Sequence, residues 1–188
     1  MEYRAFVVSE NNDGKFSGQL ETLNSNDLPS GDVMIRVNYS SLNYKDALSF
    51  SGNKGVTRTF PHTPGIDAVG EVIESSDAAY QAGDKVLVIG YDLGMNTSGG
   101  FGELIRVPKE WVMKLPATMT ADESMAWGTA GFTAALCVNK LLHNGLHKDS
   151  GPVLVSGASG GVGSVAIMLL AKLGFDVHAL TRKADQSE

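Results

Sequence analysis

The 188-residue chain has a single cysteine, Cys137, so it can form neither an internal disulfide nor a zinc site built from several thiolates. Basic side chains are in the minority. Fifteen Lys and Arg face 21 Asp and Glu, and the formal charge of -6 speaks against a broad electrostatic grip on nucleic acid or anionic lipid. Long apolar runs are missing too. "VAIMLLAKLG" is interrupted by Lys172 and falls short of the about 20 residues that a membrane span needs, and the N-terminal "MEYRAFVVSENN" lacks the hydrophobic stretch of an export signal. No nucleic-acid or membrane partner is therefore expected, and a cytoplasmic location suits the lone thiol. What the chain does have is 43% hydrophobic residues, enough to fill at least one core.

The first 120 residues carry short runs of strand-forming residues at 3–9, 33–39, 68–75, 85–89 and 104–107. Connections such as "LPSGD" and "AAYQAGD" supply Pro, Gly and Asp where the chain reverses. This predicts a compact, mostly β domain, a distorted barrel, with one short helix at "SSLNYKDALSF" capped by Ser41 or Asn43. Near residue 120 the pattern changes. Thr120 and Asp122 are candidate caps of a long helix that stops at Asn144-Gly145, and Gly128 and Gly131 weaken it where a break or a close approach is expected. Strand "PVLVSG", helix "GVGSVAIMLLAKLG" closed by Gly174, and strand "FDVHALT" then form a βαβ unit with parallel strands. A complete dinucleotide-binding domain needs typically about 150 residues, so the chain is expected to be a truncated form, or a short relative, of a longer protein.

The stretch "VLVSGASGGVGS" fits two rules. As G-x-S-x-G it would present Ser159 as a hydrolase nucleophile. A triad on such a fold needs an acid and a histidine from later strands, and the sole histidine after Ser159 is His178, inside the second strand. As a phosphate-binding turn it fits position by position. Ala158, Gly160 and Gly163 occupy the three small-residue places of G-x-G-x-x-G, with alanine replacing the first glycine. The amides that open the following helix then face negative charge. No Lys-Ser or Lys-Thr follows the glycines, which excludes a nucleotide-triphosphate loop. About 20 residues after the turn, where NAD-selecting folds place an acid, the chain reads Thr181, Arg182 and Lys183. Two cations and a hydroxyl suit a 2′-phosphate, hence NADPH. A solvated basic strand end is the plain alternative.

The succession "SSLNYKDAL", "PGIDAVGEV", "AGDKVL", "GGFGEL", "GTAGFTA" and "VLVSGASGGVGS" resembles the medium-chain dehydrogenase/reductase superfamily over essentially the whole chain. The resemblance is strongest to its zinc-free acrylyl-CoA reductases, quinone oxidoreductases of the YhdH/YhfP type. It implies an α/β fold with a β-rich part: a GroES-like catalytic domain at residues 1–121, then a connecting helix and the start of a Rossmann NADPH-binding domain at residues 122–188. It also implies NADPH in the cleft between the two domains, a small-molecule substrate and, at full length, a homodimer. Zinc-dependent relatives carry Cys in the first motif and Gly-His-Glu in the second. Here Asn43 stands near the former and Gly65-Ile66-Asp67 at the latter, so no metal is expected. His143 and His147 flank a helix stop, which makes them a poor ligand pair, and His62 is a loop residue beside Pro61.

By the same resemblance, Tyr44 lies against the nicotinamide, Ser159, Gly160, Gly161 and Val162 contact the phosphates, and Thr181, Arg182 and Lys183 hold the adenosine phosphate. Relatives often have Gly where Arg182 stands. Asn43 and Asp67 order Tyr44 or the substrate carbonyl, and Thr129 reaches the cofactor. Each has a plain structural alternative: Tyr44 as a half-buried core tyrosine, Asp67 as an acceptor for loop amides, Thr129 as a helix-packing residue. The expected activity is hydride transfer from NADPH to the β-carbon of an activated alkene, an enoyl-CoA thioester or enone, with Tyr44 or a water protonating the α-carbon. Quinone reduction is the nearest alternative, and a non-catalytic nucleotide-binding or structural protein the more distant one. The 188-residue form is expected to be inactive alone.

Overall fold

The computed structural model describes residues 1–182. Two compact units divide it, Met1–Thr129 and a second that begins at Ala130.

In the first unit β1 (Glu2–Glu10) pairs antiparallel with β2 (Phe16–Asn24). Their turn is closed by the Asn11 side chain, whose Oδ1 accepts from the amides of Asp13 and Lys15 at 3.0 and 2.9 Å. A second, antiparallel sheet contains β3 (Val33–Tyr39), β4 (Asp67–Ser75), β5 (Lys85–Ile89), β6 (Leu104–Val107) and β7 (Met113–Lys114), in the order β6-β3-β4-β5-β7. Its strands read with a period of two. Val33 and Ile35, Val86 and Val88, and Ile105 and Val107 turn to one face and are shut off from solvent together with Ala68, Val72 and Leu93. Each such side chain contributes about 2 kcal/mol by leaving water. Met34 and Leu104 turn the other way and pack with Tyr3, Ala5 and Val7 of β1.

Between β3 and β4 the chain forms α1 (Tyr44–Phe50). It starts at Asn43, the second of the two expected caps, because the Asp46 carboxylate accepts from the Asn43 backbone N–H at 2.7 Å. The long helix α2 (Ala121–His143) starts at a similar box between Thr120 and Glu123. It is sharply kinked at Gly128, which lies at φ 48 and ψ −154.

In the second unit β8 (Val153–Ser156), α3 (Gly161–Lys172) and β9 (Val177–Leu180) make the expected βαβ unit, with β8 and β9 parallel and Val153 opposite Val177. Val165 and Ala166 of α3 pack against Ala134 of α2. The strand expectations held at 33–39, 85–89 and 104–107. They missed β2 altogether and, with it, the hairpin that β1 forms.

Candidate functional site

Two constellations stand out, one in each unit. In the second unit, β8 runs into a turn in which Gly157 adopts φ 63 and the Gly160 amide donates to the Gly157 carbonyl at 2.9 Å. The Ala158 amide donates to the Leu180 carbonyl at 3.3 Å, which ties the turn to the end of β9. Gly163, one turn into α3, is buried, and a Cβ there would lie 2.3 Å from the Gly157 carbonyl oxygen. Only glycine lets the helix come this close. The N-cap, Gly160, has no side chain to bond the first amides of α3, and the first i→i−4 bond runs from Ser164 to Gly160. The N–H groups of Gly161, Val162 and Gly163 therefore open the helix without carbonyls one turn back. A cavity of about 560 Å³ lies here, lined by Gly157, Ser159, Gly160, Leu180, Thr181 and Arg182.

In the first unit, Asp67 at the start of β4 is completely buried. Its Oδ2 accepts from the Asn43 side-chain amide at 2.9 Å and from the Thr129 backbone N–H at 2.8 Å, and its Oδ1 accepts from the Thr129 hydroxyl at 2.5 Å. The break at Gly128 gives α2 a second N-terminal start, and Asp67 caps it from another strand, where a carboxylate is favoured by the exposed amides. A Cβ at residue 128 would fall 2.4 Å from the Ser41 Oγ and 2.8 Å from Asp67 Oδ2. Asp46 is the neighbouring buried carboxylate. Its Oδ1 accepts from the amides of Gly65 and Ile66 at 3.2 and 3.0 Å. Burial pushes its carboxyl group above the usual carboxylate range, against the pull of the three backbone N–H groups bonded to it.

The structure thus brings Ser159, Gly160, Thr181 and Arg182 to one cavity, with Gly161 and Val162 at the adjoining helix start. Lys183 lies outside the described residues. Asn43, Asp67 and Thr129 form one hydrogen-bonded group. Tyr44 is 80% exposed, so it is not the half-buried core tyrosine of the plain reading. His62 does lie in a loop, but it is buried and its Nε2 has no hydrogen-bond partner. His143 and His147 are exposed. Among the described residues no three His, Cys, Asp or Glu side chains are placed to hold a metal ion, and no helix is long and apolar enough to cross a membrane. Asp46 escaped the sequence reading, although the three-residue spacing from Asn43 is the signal of a reciprocal cap.

An antiparallel β-rich unit followed by a strand, a glycine turn and a helix defines the class. Residues 29–117 match the alcohol dehydrogenase GroES-like domain, and the likeness to the medium-chain dehydrogenase/reductases is borne out. The chain is similar to the acrylyl-CoA reductase AcuI of Ruegeria pomeroyi, with 43% identity over 187 residues, 99% of this chain and 57% of the relative. Among solved structures it is similar to the yhdH oxidoreductase of Salmonella enterica in complex with NADP, at 45% identity and a TM-score of 0.92, covering 96% of this chain and 56% of that one. It is also similar to yhfP of Bacillus subtilis with NAD bound, at 41% identity and a TM-score of 0.90, covering 95% and 54%. The chain spans somewhat over half the length of these relatives.

Proposed function

We propose that the chain serves an NADPH-dependent reductase of activated C=C bonds, with an enoyl thioester of the acrylyl-CoA kind or an enone as acceptor. The observation that carries this is the turn from Gly157 to Gly163, where the missing Cβ at Gly163, the open amides of α3 and the adjoining cavity fit a dinucleotide. In this reading residues 1–121 are the catalytic domain and residues 122–188 bind the cofactor. Ser159, Gly160 and the amides of Gly161 and Val162 hold the diphosphate. Thr181 and Arg182 at the end of β9, with Lys183 beyond them, hold the 2′-phosphate that distinguishes NADPH from NADH. Bound NADPH supplies the hydride.

The first unit supplies orientation and proton control. Asp67 fixes the Asn43 amide, which leaves an N–H able to donate to the oxygen on which enolate charge develops. The Thr129 hydroxyl is engaged by Asp67, so its part is to hold that carboxylate in place. Tyr44, exposed beside Asn43, presents its Oη as the proton donor to the α-carbon, a role it shares with water. The resemblance supports a cytoplasmic homodimer as the working form. Titrating NADPH and NADH separately into the protein, then following NADPH absorbance with acryloyl-CoA, crotonyl-CoA and a quinone, tests the reading. Saturable NADPH binding is expected, with turnover of an enoyl thioester by a full-length form that carries these residues and none by the 188-residue form. Binding without turnover of any acceptor by the full-length form would favour a non-catalytic nucleotide-binding role, and absence of binding would overturn the proposal. Turnover of the quinone alone would favour the second reading, quinone reduction, to which an apolar pocket beside Asn43 gives independent support.

A further inference from the structure

Asp46 is a buried carboxylic acid to which the reductase reading gives no task. It stands third in α1 and is 4% exposed. A carboxylate out of water needs its oxygens occupied, and backbone N–H groups occupy them: Asn43 on Oδ2 at 2.7 Å, Gly65 and Ile66 on Oδ1 at 3.2 and 3.0 Å. Among the described residues no cation forms an ion pair with it. Capping a short helix does not require this burial, because an exposed side chain serves as well. In this same chain the Ser150 hydroxyl accepts the His147 backbone N–H at 3.1 Å in the equivalent position, on the surface.

What burial adds is the tie to residues 65 and 66, and that tie closes a ring. Asn43 gives its backbone N–H to Asp46, Asp46 takes the N–H of Ile66, Ile66 is bonded covalently to Asp67, and Asp67 Oδ2 takes the side-chain N–H of Asn43 at 2.9 Å. Asn43 is thus gripped at its main chain by one carboxylate and at its amide by another. The far side of the ring does not yield. The carbonyls of Gly65 and Ile66 accept from the amides of Gly100 and Gly90 at 2.8 and 2.9 Å, and a Cβ at Gly65 would lie 2.6 Å from the Phe101 nitrogen. Tyr44 begins the helical turn that Asp46 closes, so its backbone is set by the same bond.

We infer that Asp46 is a positioning residue of the reduction, which aims the spare N–H of Asn43 and the phenol of Tyr44 by fixing the first turn of α1 against residues 65 and 66. The inference deepens the reductase reading and rests on it for the reaction, while the hold on Asn43 is measurable by itself. A misaimed donor slows the chemical step and leaves binding alone. Two variants cut the tie. Asp46→Asn keeps the size of the side chain and sets an NH2 group against backbone donors. Asp46→Ser keeps a hydroxyl for the Asn43 N–H and is too short to reach residues 65 and 66. In a full-length form that carries these residues, each should lower kcat for acryloyl-CoA at least about tenfold under conditions where the urea curve shows it folded. The KM for acryloyl-CoA and the affinity for NADPH should change less than about twofold. In the 188-residue chain the two side-chain amide protons of Asn43, held apart in 1H–15N NMR spectra by the Asp67 bond, should draw together in both variants. A kcat within about twofold of the parent in a folded variant, a rise in KM without a fall in kcat, or unmoved Asn43 signals overturns the inference and leaves the reductase reading standing. A parent full-length form that turns over no acceptor defeats that reading, and the Asn43 signals then decide the inference alone.

Discussion

The two units solve the problem of placing chemistry in opposite ways. In the first, interleaved Val, Ile and Leu side chains are shut from water on one face of a five-stranded sheet, and the central polar group, Asp67, is buried with both carboxylate oxygens hydrogen-bonded. Asn43 is held by Asp67, and Asp67 by Thr129. In the second, the strands are short, Leu154 and Leu180 stay 66% and 54% exposed, and the candidate cofactor turn consists of backbone amides and space. Side-chain networks thus carry the first site, and the absence of side chains carries the second.

The strongest test of that contrast is Asp67→Ala. It strands the partly buried Thr129 amide and Asn43 amide group around the buried carboxylate's place, so the first unit should lose about 2 kcal/mol of stability, read as a lower urea midpoint. Asp67→Asn, which keeps the shape, should lose less. Gly163→Val strikes the other kind of site. Its Cβ meets the Gly157 carbonyl oxygen at 2.3 Å, and the displaced turn should bind NADPH at least about tenfold more weakly, worth about 1.4 kcal/mol, with the urea midpoint of the first unit unchanged. Arg182→Ala should shift only preference. The advantage of NADPH over NADH should fall by roughly fivefold, about 1 kcal/mol for an exposed ion pair, in paired fluorescence titrations.

The smallest effect concerns His62. Burial lowers its pKa from the ordinary 6.5, against the raising influence of a Gly94 backbone hydrogen bond and of Asp92. Folding therefore releases the proton, so the stability tied to neutral His62 is complete above the unfolded pKa and is lost as the pH falls below it. A urea series from neutral to mildly acidic pH should show this decline, and His62→Phe should flatten it. A slope unchanged by that substitution would assign the decline to other groups.

The sequence made the second site legible and left the first half hidden, for a physical reason. The glycine turn is a local pattern, so spacing alone exposes Gly160, Gly163 and the basic residues after it. β3, β5 and β6 were likewise legible because Val and Ile alternate along them. β2 was not, since "FSGQLETLN" has no fully buried position to impose an alternation. Gly128 signalled a break, but nothing local says that Asp67 fills it, because that contact joins residues 62 positions apart. The apolar pocket shares this character, since Phe6, Phe50 and Phe101 come from distant parts of the chain.

The Asp67 junction also bears on the order in which the molecule assembles. Its three bonds span 24 residues in one case and 62 in the other two, so loop closure must be completed before any of them forms. The nascent helix has no partner for its mid-point amides until the strand carrying this aspartate has been laid down. The bend at residue 128 is accordingly expected to set late in folding, and a stopped-flow experiment in which the bent helix appeared before the neighbouring sheet would contradict this.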